Sequence, residues 1–214
     1  MQNRHISLWL TGIMAAVFVL QSIIQGFSGN VIMISALVWQ HPWTLITSVF
    51  AHSSIPHLLL NGYALVLFGS ILEEKIGSWR FLAIFAAAGL LSSIADTFFY
   101  QATLGASGAV FGILGTLAVL EPMMTISVYF IPMPLFVAAL AFAALDLFGF
   151  FTGAPTSLIG SVANAAHLTG MAAGVTAGLA IRGRKPIRFG MKKPPSILSA
   201  EEFDNWEKEN MGRR

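Results

Sequence analysis

The stretch Gly105-Ala106-Ser107-Gly108-Ala109-Val110-Phe111-Gly112 opens an apolar run that ends at Glu121. The 15 residues between Gly105 and Glu121 make roughly 22 Å of helix, whereas a hydrocarbon core about 30 Å thick asks for about 20 residues. With its Glu121 end at one membrane face, such a helix begins inside the bilayer, at Ser107. Its first backbone N–H groups have no intrahelical partners. In lipid these groups persist only where they are buried in protein or line a water-filled cavity, so the Ser107 end predicts a wet pocket below the membrane surface. Unpaired N–H groups and a positive dipole end beside a hydroxyl suit a developing oxyanion. Taken alone, Gly-x-Ser-Gly also reads as small-residue helix packing, and the other polar groups of the chain must decide.

The chain is 56% hydrophobic and 10% charged, against about a quarter charged for a soluble domain, which marks an integral membrane protein. It has no cysteine, so disulfides, thiolate catalysis and cysteine metal sites are excluded. Apolar segments fall at 8–27, 57–72, 81–99, 106–120, 126–150 and 159–181. The first is span-length with no small-residue cleavage site after it, so it reads as a span rather than a signal peptide. Arg4 precedes the first segment, Lys75 and Arg80 lie between the second and third, and the other nine Lys and Arg residues follow the sixth. By the positive-inside rule this predicts an all-α, six-transmembrane-helix bundle with both termini cytoplasmic.

The organisation expected is a transmembrane core, 1–182, and a basic cytoplasmic tail, 183–214. Ser199-Ala200-Glu201-Glu202 has capping-box spacing and predicts a short helix in the tail to about residue 210. The first connection, 28–56, has no Lys, Arg, Asp or Glu and carries Trp39, Trp43 and Phe50, which suits a structure lying in the outer interface. Pro132 and Pro134 are expected to kink or loosen the cytoplasmic half of the fifth span. Nothing points to nucleic-acid binding.

Depth counted from cytoplasmic span ends aligns polar groups from three spans. Ser107 lies about 21 Å from Glu121, His167 about 22 Å from Arg182, and His57 and Asn61 about 24 and 18 Å from Glu73. His57 and Asn61 are i, i+4 and share a face. Gly108, Gly112 and Gly115 on the fourth span can meet Gly170, Gly174 and Gly178 on the sixth, and small residues allow the close approach that brings His167 to Ser107. A neutral histidine is the usual base for a serine nucleophile. A third, orienting residue is common, but Asp146, counted about 31 Å along the fifth span from Thr125, falls near the outer surface, and Asp96 is also at an outer end. The expectation is therefore a Ser107–His167 dyad. Phe111, at i+4 from Ser107, packs either on the His167 imidazole or simply in the core. His57 and Asn61 offer either oxyanion donors alongside the Ser107 amide or an interhelical hydrogen bond. A metal held by His52, His57 and His167 would lack any acidic or cysteine ligand, so neither metal nor cofactor is expected.

These residues resemble the rhomboid intramembrane serine proteases. The resemblance runs from about residue 42 to 178. It is carried by His52-x-x-x-x-His57-x-x-x-Asn61, Gly69-x-x-x-Glu73, Gly77-Ser78-x-Arg80-Phe81, Gly105-Ala106-Ser107-Gly108 and Ala166-His167-x-x-Gly170-x-x-x-Gly174. It implies a minimal prokaryotic six-helix form with Ser107 as nucleophile, His167 as base, and His57 and Asn61 helping the backbone hold the oxyanion; Gly105, Gly108 and Phe111 are the residues expected to support that site. It further implies single-span transmembrane substrates cut near the outer face, entry by the fifth span and its neighbouring loop, and a multi-pass place in the plasma or inner membrane. Many bacterial members carry Trp-Arg in the first connection; here Trp43 is followed by Thr44, which leaves open how that loop is held. A non-catalytic relative that binds transmembrane helices would be expected to lack Ser107 or His167, and a transporter would show a second broken span. Substrate identity and oligomeric state are not legible.

Overall fold

Six helical stretches follow from the six apolar segments, and the computed structural model describes residues 5–128, 130–154 and 163–182. The chain divides into Met1–Arg184 and Lys185–Arg214; the expected tail helix lies outside the described residues, as does the start expected for the sixth span. The long helices are α1 (Ile6–Ile23), α4 (Ile55–Ala64) continued by α5 (Ser70–Ile76), α6 (Ser78–Phe99), α7 (Ser107–Leu120), α8 (Leu135–Thr152) and α9 (Asn164–Arg182). Ile6–Ile23, Ile55–Ile76, Ser78–Phe99 and Leu135–Thr152 are long and apolar enough to cross a membrane, and Ser107–Leu120 is a shorter apolar helix. Between α4 and α5 the backbone makes a π turn, Leu65–Gly69, without breaking the span.

α7 is the axis of the bundle. Its Gly108, Ala109, Val110 and the run from Gly112 to Leu117 are buried. Ile113 and Leu117 join Met14, Leu65, Leu72, Phe81 and Leu135 in an apolar core with no exposed surface. α9 lies against α7 at near backbone contact. A Cβ at Gly170 or Gly174 would collide with the carbonyl of Gly108 or Gly112, and the Thr116 hydroxyl donates to the carbonyls of Gly112 and Gly174, 2.9 Å each. The glycines thus build the close helix pair that their spacing predicts.

At the opposite end of the spans from Ser107, buried Glu73 gathers three helices. Its carboxylate accepts from the Ile6 and Ser7 amides, 3.1 Å each, and from the hydroxyls of Ser7 at 3.2 Å and Ser78 at 2.7 Å. The Ile6 and Ser7 amides open α1, so a carboxylate from another span satisfies N–H groups that α1 leaves without intrahelical partners. Lys75 forms an ion pair with Glu121, tying α5 to the end of α7.

The segment expected to be the cytoplasmic half of the fifth span is not helical. β3 (Thr125–Val128) and β4 (Ile131–Pro134) form an antiparallel hairpin. Pro132 and Pro134 kink no helix; they occupy strand positions, and Pro134 precedes the first residue of α8 in extended conformation. Proline lacks the amide a helix interior needs, which is why helix starts only beyond the second of them.

The first connection is folded, with α2 (Phe27–Val31), β1 (Met33–Ile34) and α3 (Thr44–Thr47). β1 pairs antiparallel with β2 (Ala102–Thr103), in the loop before Ser107. With no arginine after Trp43, neutral groups hold this loop. The Trp43 indole N–H donates to the Asn30 carbonyl at 3.0 Å, Thr47 donates to the Val31 carbonyl at 3.0 Å, and the buried Thr44 donates to the His41 carbonyl at 2.7 Å.

Candidate active site

Ser107 is the first residue of α7 and is partly buried. The bond from the Val110 amide to the Ala106 carbonyl, 2.9 Å, begins the helical ladder, so the amides of Ser107, Gly108 and Ala109 lie ahead of it. No side chain caps this end. Gly105 enters the helix at φ 118°, where an L side chain is strained. A Cβ there would also sit 2.7 Å from Cε1 and 2.8 Å from Nε2 of His57. Glycine at 105 thus lets the chain turn and lets the His57 ring lie directly against the backbone two residues before Ser107. The Gly105 amide is itself held by the Ser48 carbonyl at 2.9 Å.

His57 comes from the first turn of α4, capped by Ser54, whose side chain accepts from the His57 amide. Its Nδ1 is 3.1 Å from the Ser53 hydroxyl, and its ring meets His52 edge-to-face at a centroid distance of 5.0 Å. Asn61, buried one turn on, donates one amide hydrogen to the His57 carbonyl at 3.0 Å, which leaves a second donor on the same nitrogen. His52 lies outside the spans. Its Nδ1 is 3.2 Å from the Phe50 carbonyl, and its amide donates to Gln21 at 2.9 Å.

His167 stands in the first turn of α9, its ring stacked on Phe111 from α7 with a centroid distance of 4.0 Å and an interplanar angle of 12°. Of the two positions open to Phe111, it takes the one on the imidazole. Next to this pair, Gly108 of α7, Ala166 of α9 and Ser92 of α6 converge. A Cβ on Gly108 would be 3.3 Å from the Ala166 carbonyl oxygen, which already accepts from the Ser92 hydroxyl at 2.8 Å. Ser107 and His167 each adjoin this junction in sequence, and they are not joined by a hydrogen bond among the described residues.

The expectation that no carboxylate reaches this depth is corrected. Asp146 of α8 is buried, and its two carboxylate oxygens lie 3.1 and 3.2 Å from Nδ1 of His167. The error lay in counting from Thr125 as though the chain were helical there. The hairpin takes up 125–134, so helix is counted from Leu135, and Asp146 is about 17 Å along it, within the apolar span Leu135–Thr152. Two signals in the sequence could have found it: the Ile-Pro-Met-Pro run as a helix boundary, and the rarity of an ionisable residue inside an apolar span.

Behind Ser107 is a cavity of about 20 Å³, lined by Ser48, Ser92, Ser93, Asp96, Thr103 and Ser107 among others, which is room for a water molecule. The lining is polar, and Asp96 Oδ1 is buried without a protein partner. The site therefore combines a helix-terminal hydroxyl, an imidazole with one nitrogen on a carboxylate, donors from a neighbouring span, and room for water. Among the described residues no cluster of His, Cys, Asp and Glu could hold a metal ion.

Residues 39–184 match the family model described as "Rhomboid domain". Among curated relatives, the chain is 46% identical over 76 residues to "Rhomboid protease GluP" of Bacillus subtilis (strain 168), covering 35% of this chain and 15% of that protein. It is 38% identical over 77 residues to "Putative rhomboid protease YdcA" of the same organism, covering 34% and 38%. It is 31% identical over 107 residues to human "Presenilin-associated rhomboid-like protein, mitochondrial", covering 47% and 28%. In each case the chain spans well under half the length of the relative.

Proposed function

Because this chain belongs to the rhomboid family of integral membrane proteins, we propose that it is an intramembrane serine endopeptidase of the plasma or inner membrane that cleaves single-span transmembrane substrates near the outer face. Ser107 is the nucleophile. His167 takes the Ser107 proton as Oγ bonds to the scissile carbonyl carbon, then returns it to the leaving amine as the C–N bond breaks. The Ser107 amide, with donors from His57 and Asn61, stabilises the tetrahedral oxyanion. A water deprotonated by His167 then hydrolyses the acyl ester, releasing the acid and restoring the Ser107 hydroxyl.

The observation that supports this reading best is that α7, a short apolar helix, starts at Ser107, and that the His167 ring stacks on Phe111, one turn further along the same helix. The polar cavity behind Ser107 supports the deacylation step, which needs water. Two of the relatives above carry protease in their names.

Labelling with a fluorophosphonate tests the proposal, because an unactivated serine does not react. The wild-type chain is expected to label and to cleave a panel of single-span substrates, and Ser107→Ala and His167→Ala to do neither while melting normally in detergent. Normal turnover by Ser107→Ala, or a wild type inert to the reagent, overturns it. The second outcome is the one expected of a non-catalytic helix-binding relative.

A further inference from the structure

We infer that Asp146 is a positioning residue for His167, so that catalysis runs through three residues on α7, α8 and α9 rather than two. This rests on the hydrolase reading above.

The geometry is specific to one ring nitrogen. Both Asp146 oxygens are within hydrogen-bond distance of His167 Nδ1, with side-chain exposures of 6% and 12% for the two partners. An ionised carboxylate only accepts hydrogen bonds, so the proton of the neutral ring sits on Nδ1 and the lone pair on Nε2. Phe111 covers one face of the ring, and the carboxylate fixes its rotation about the remaining axis. An imidazolium at His167 has the Asp146 carboxylate as its counter-charge. When Ser107 Oγ bonds to the substrate carbon, its proton passes to Nε2. The ring becomes imidazolium with its Nδ1 proton still held by Asp146, which stays a carboxylate throughout. The Nε2 proton then leaves with the amine, so Asp146 neither gains nor loses a proton over the cycle.

A charge in the middle of an apolar span is costly and rare. A purely structural link between α8 and α9 could be made by an uncharged pair or by apolar packing at lower desolvation cost. What a carboxylate adds is control of the histidine tautomer and stabilisation of its cation.

The test compares Asp146→Asn, Asp146→Leu and Asp146→Glu with wild type in detergent, reading kcat and KM on a single-span substrate, the rate of fluorophosphonate labelling, and the melting temperature. Asn and Leu are expected to lower kcat by about 10²- to 10⁴-fold, with KM within about threefold and labelling slowed in parallel. Glu keeps the charge and is expected to recover at least tenfold over Asn. A folded Asn or Leu variant with kcat within about threefold of wild type overturns the inference, as does a loss that Glu fails to recover. If neither Asn nor Leu folds, the carboxylate is structural and the inference also fails. A wild type inert to the fluorophosphonate sinks the hydrolase reading itself, which keeps the two failures distinct.

Discussion

Gly170→Ala tests whether the approach of two backbones sets the catalytic geometry. A Cβ at 170 would lie 2.8 Å from the Gly108 carbonyl carbon and 2.9 Å from the Ser92 hydroxyl, with the Gly108 carbonyl oxygen closer still. The nearest obstacle is backbone, which cannot turn aside as a side chain can. Restoring ordinary contact requires α7 and α9 to part by about 1 Å, and overpacking of this kind costs about 1–3 kcal/mol. Functionally the effect is larger, because the collision falls one residue after Ser107 and three after His167. A misplacement of about 1 Å between reacting groups costs about 10²-fold in rate. Gly170→Ala is therefore expected to stay folded, with a modestly lower melting temperature, and to lose about 100-fold in kcat. Gly62→Ala is the control, since a Cβ there meets only Thr11 Cγ2 at 3.2 Å. Steady-state cleavage of a single-span substrate with parallel melting curves decides the matter. A Gly170→Ala enzyme with wild-type kcat would refute the idea that this helix contact sets the distance between serine and histidine.

Two further outcomes concern stability. Glu73→Ala leaves the Ile6 and Ser7 amides and two hydroxyls without their acceptor, and the expected loss is about 3 kcal/mol, below the sum of four charge-assisted bonds because the end of α1 can rehydrate; unchanged denaturant unfolding would contradict it. For His52, burial first, then the neighbouring His57, hold its pKa down from 6.5 to about 4, with the Phe50 carbonyl pulling weakly the other way. Between about 6.5 and 4 the unfolded chain binds a proton that the folded chain refuses, so stability falls as pH drops through that window and stops falling below it. The contribution is about 2 kcal/mol once partial solvent access is allowed for, and melting curves at pH 7, 6, 5 and 4 should show it in wild type and not in His52→Gln.

The short fourth helix and the glycine seam that sets Gly108 against Gly170 and Gly112 against Gly174 were legible because helical rise and small-residue spacing carry directly into three dimensions. Depth counting failed where its premise failed. Residues 125–134 carry no charge and run without interruption into the helix that follows, so the boundary inside that apolar segment was marked only by the Thr-Ile-Ser-Val alternation and the two prolines. That one misreading moved Asp146 out of the site. The use of Glu73 was not legible either, since its donors Ile6 and Ser7 are 67 and 66 residues away in the chain and a main-chain amide has no signature in a sequence. The anchoring of Trp43 to the Asn30 carbonyl was hidden for the same reason.

The π turn at Leu65–Gly69 gives the second span two angular phases. One surplus residue in a helix is worth about 100° of rotation about its axis. The half carrying His57 and Asn61 is thereby aimed independently of the half carrying Glu73, although both belong to one continuous rod. Removing one residue from 65–69 would keep the rod and its hydropathy intact while swinging one end out of phase with the other. Length alone therefore does not describe this span: it also works as a torsional spacer between the keystone at one membrane face and the chemistry near the other.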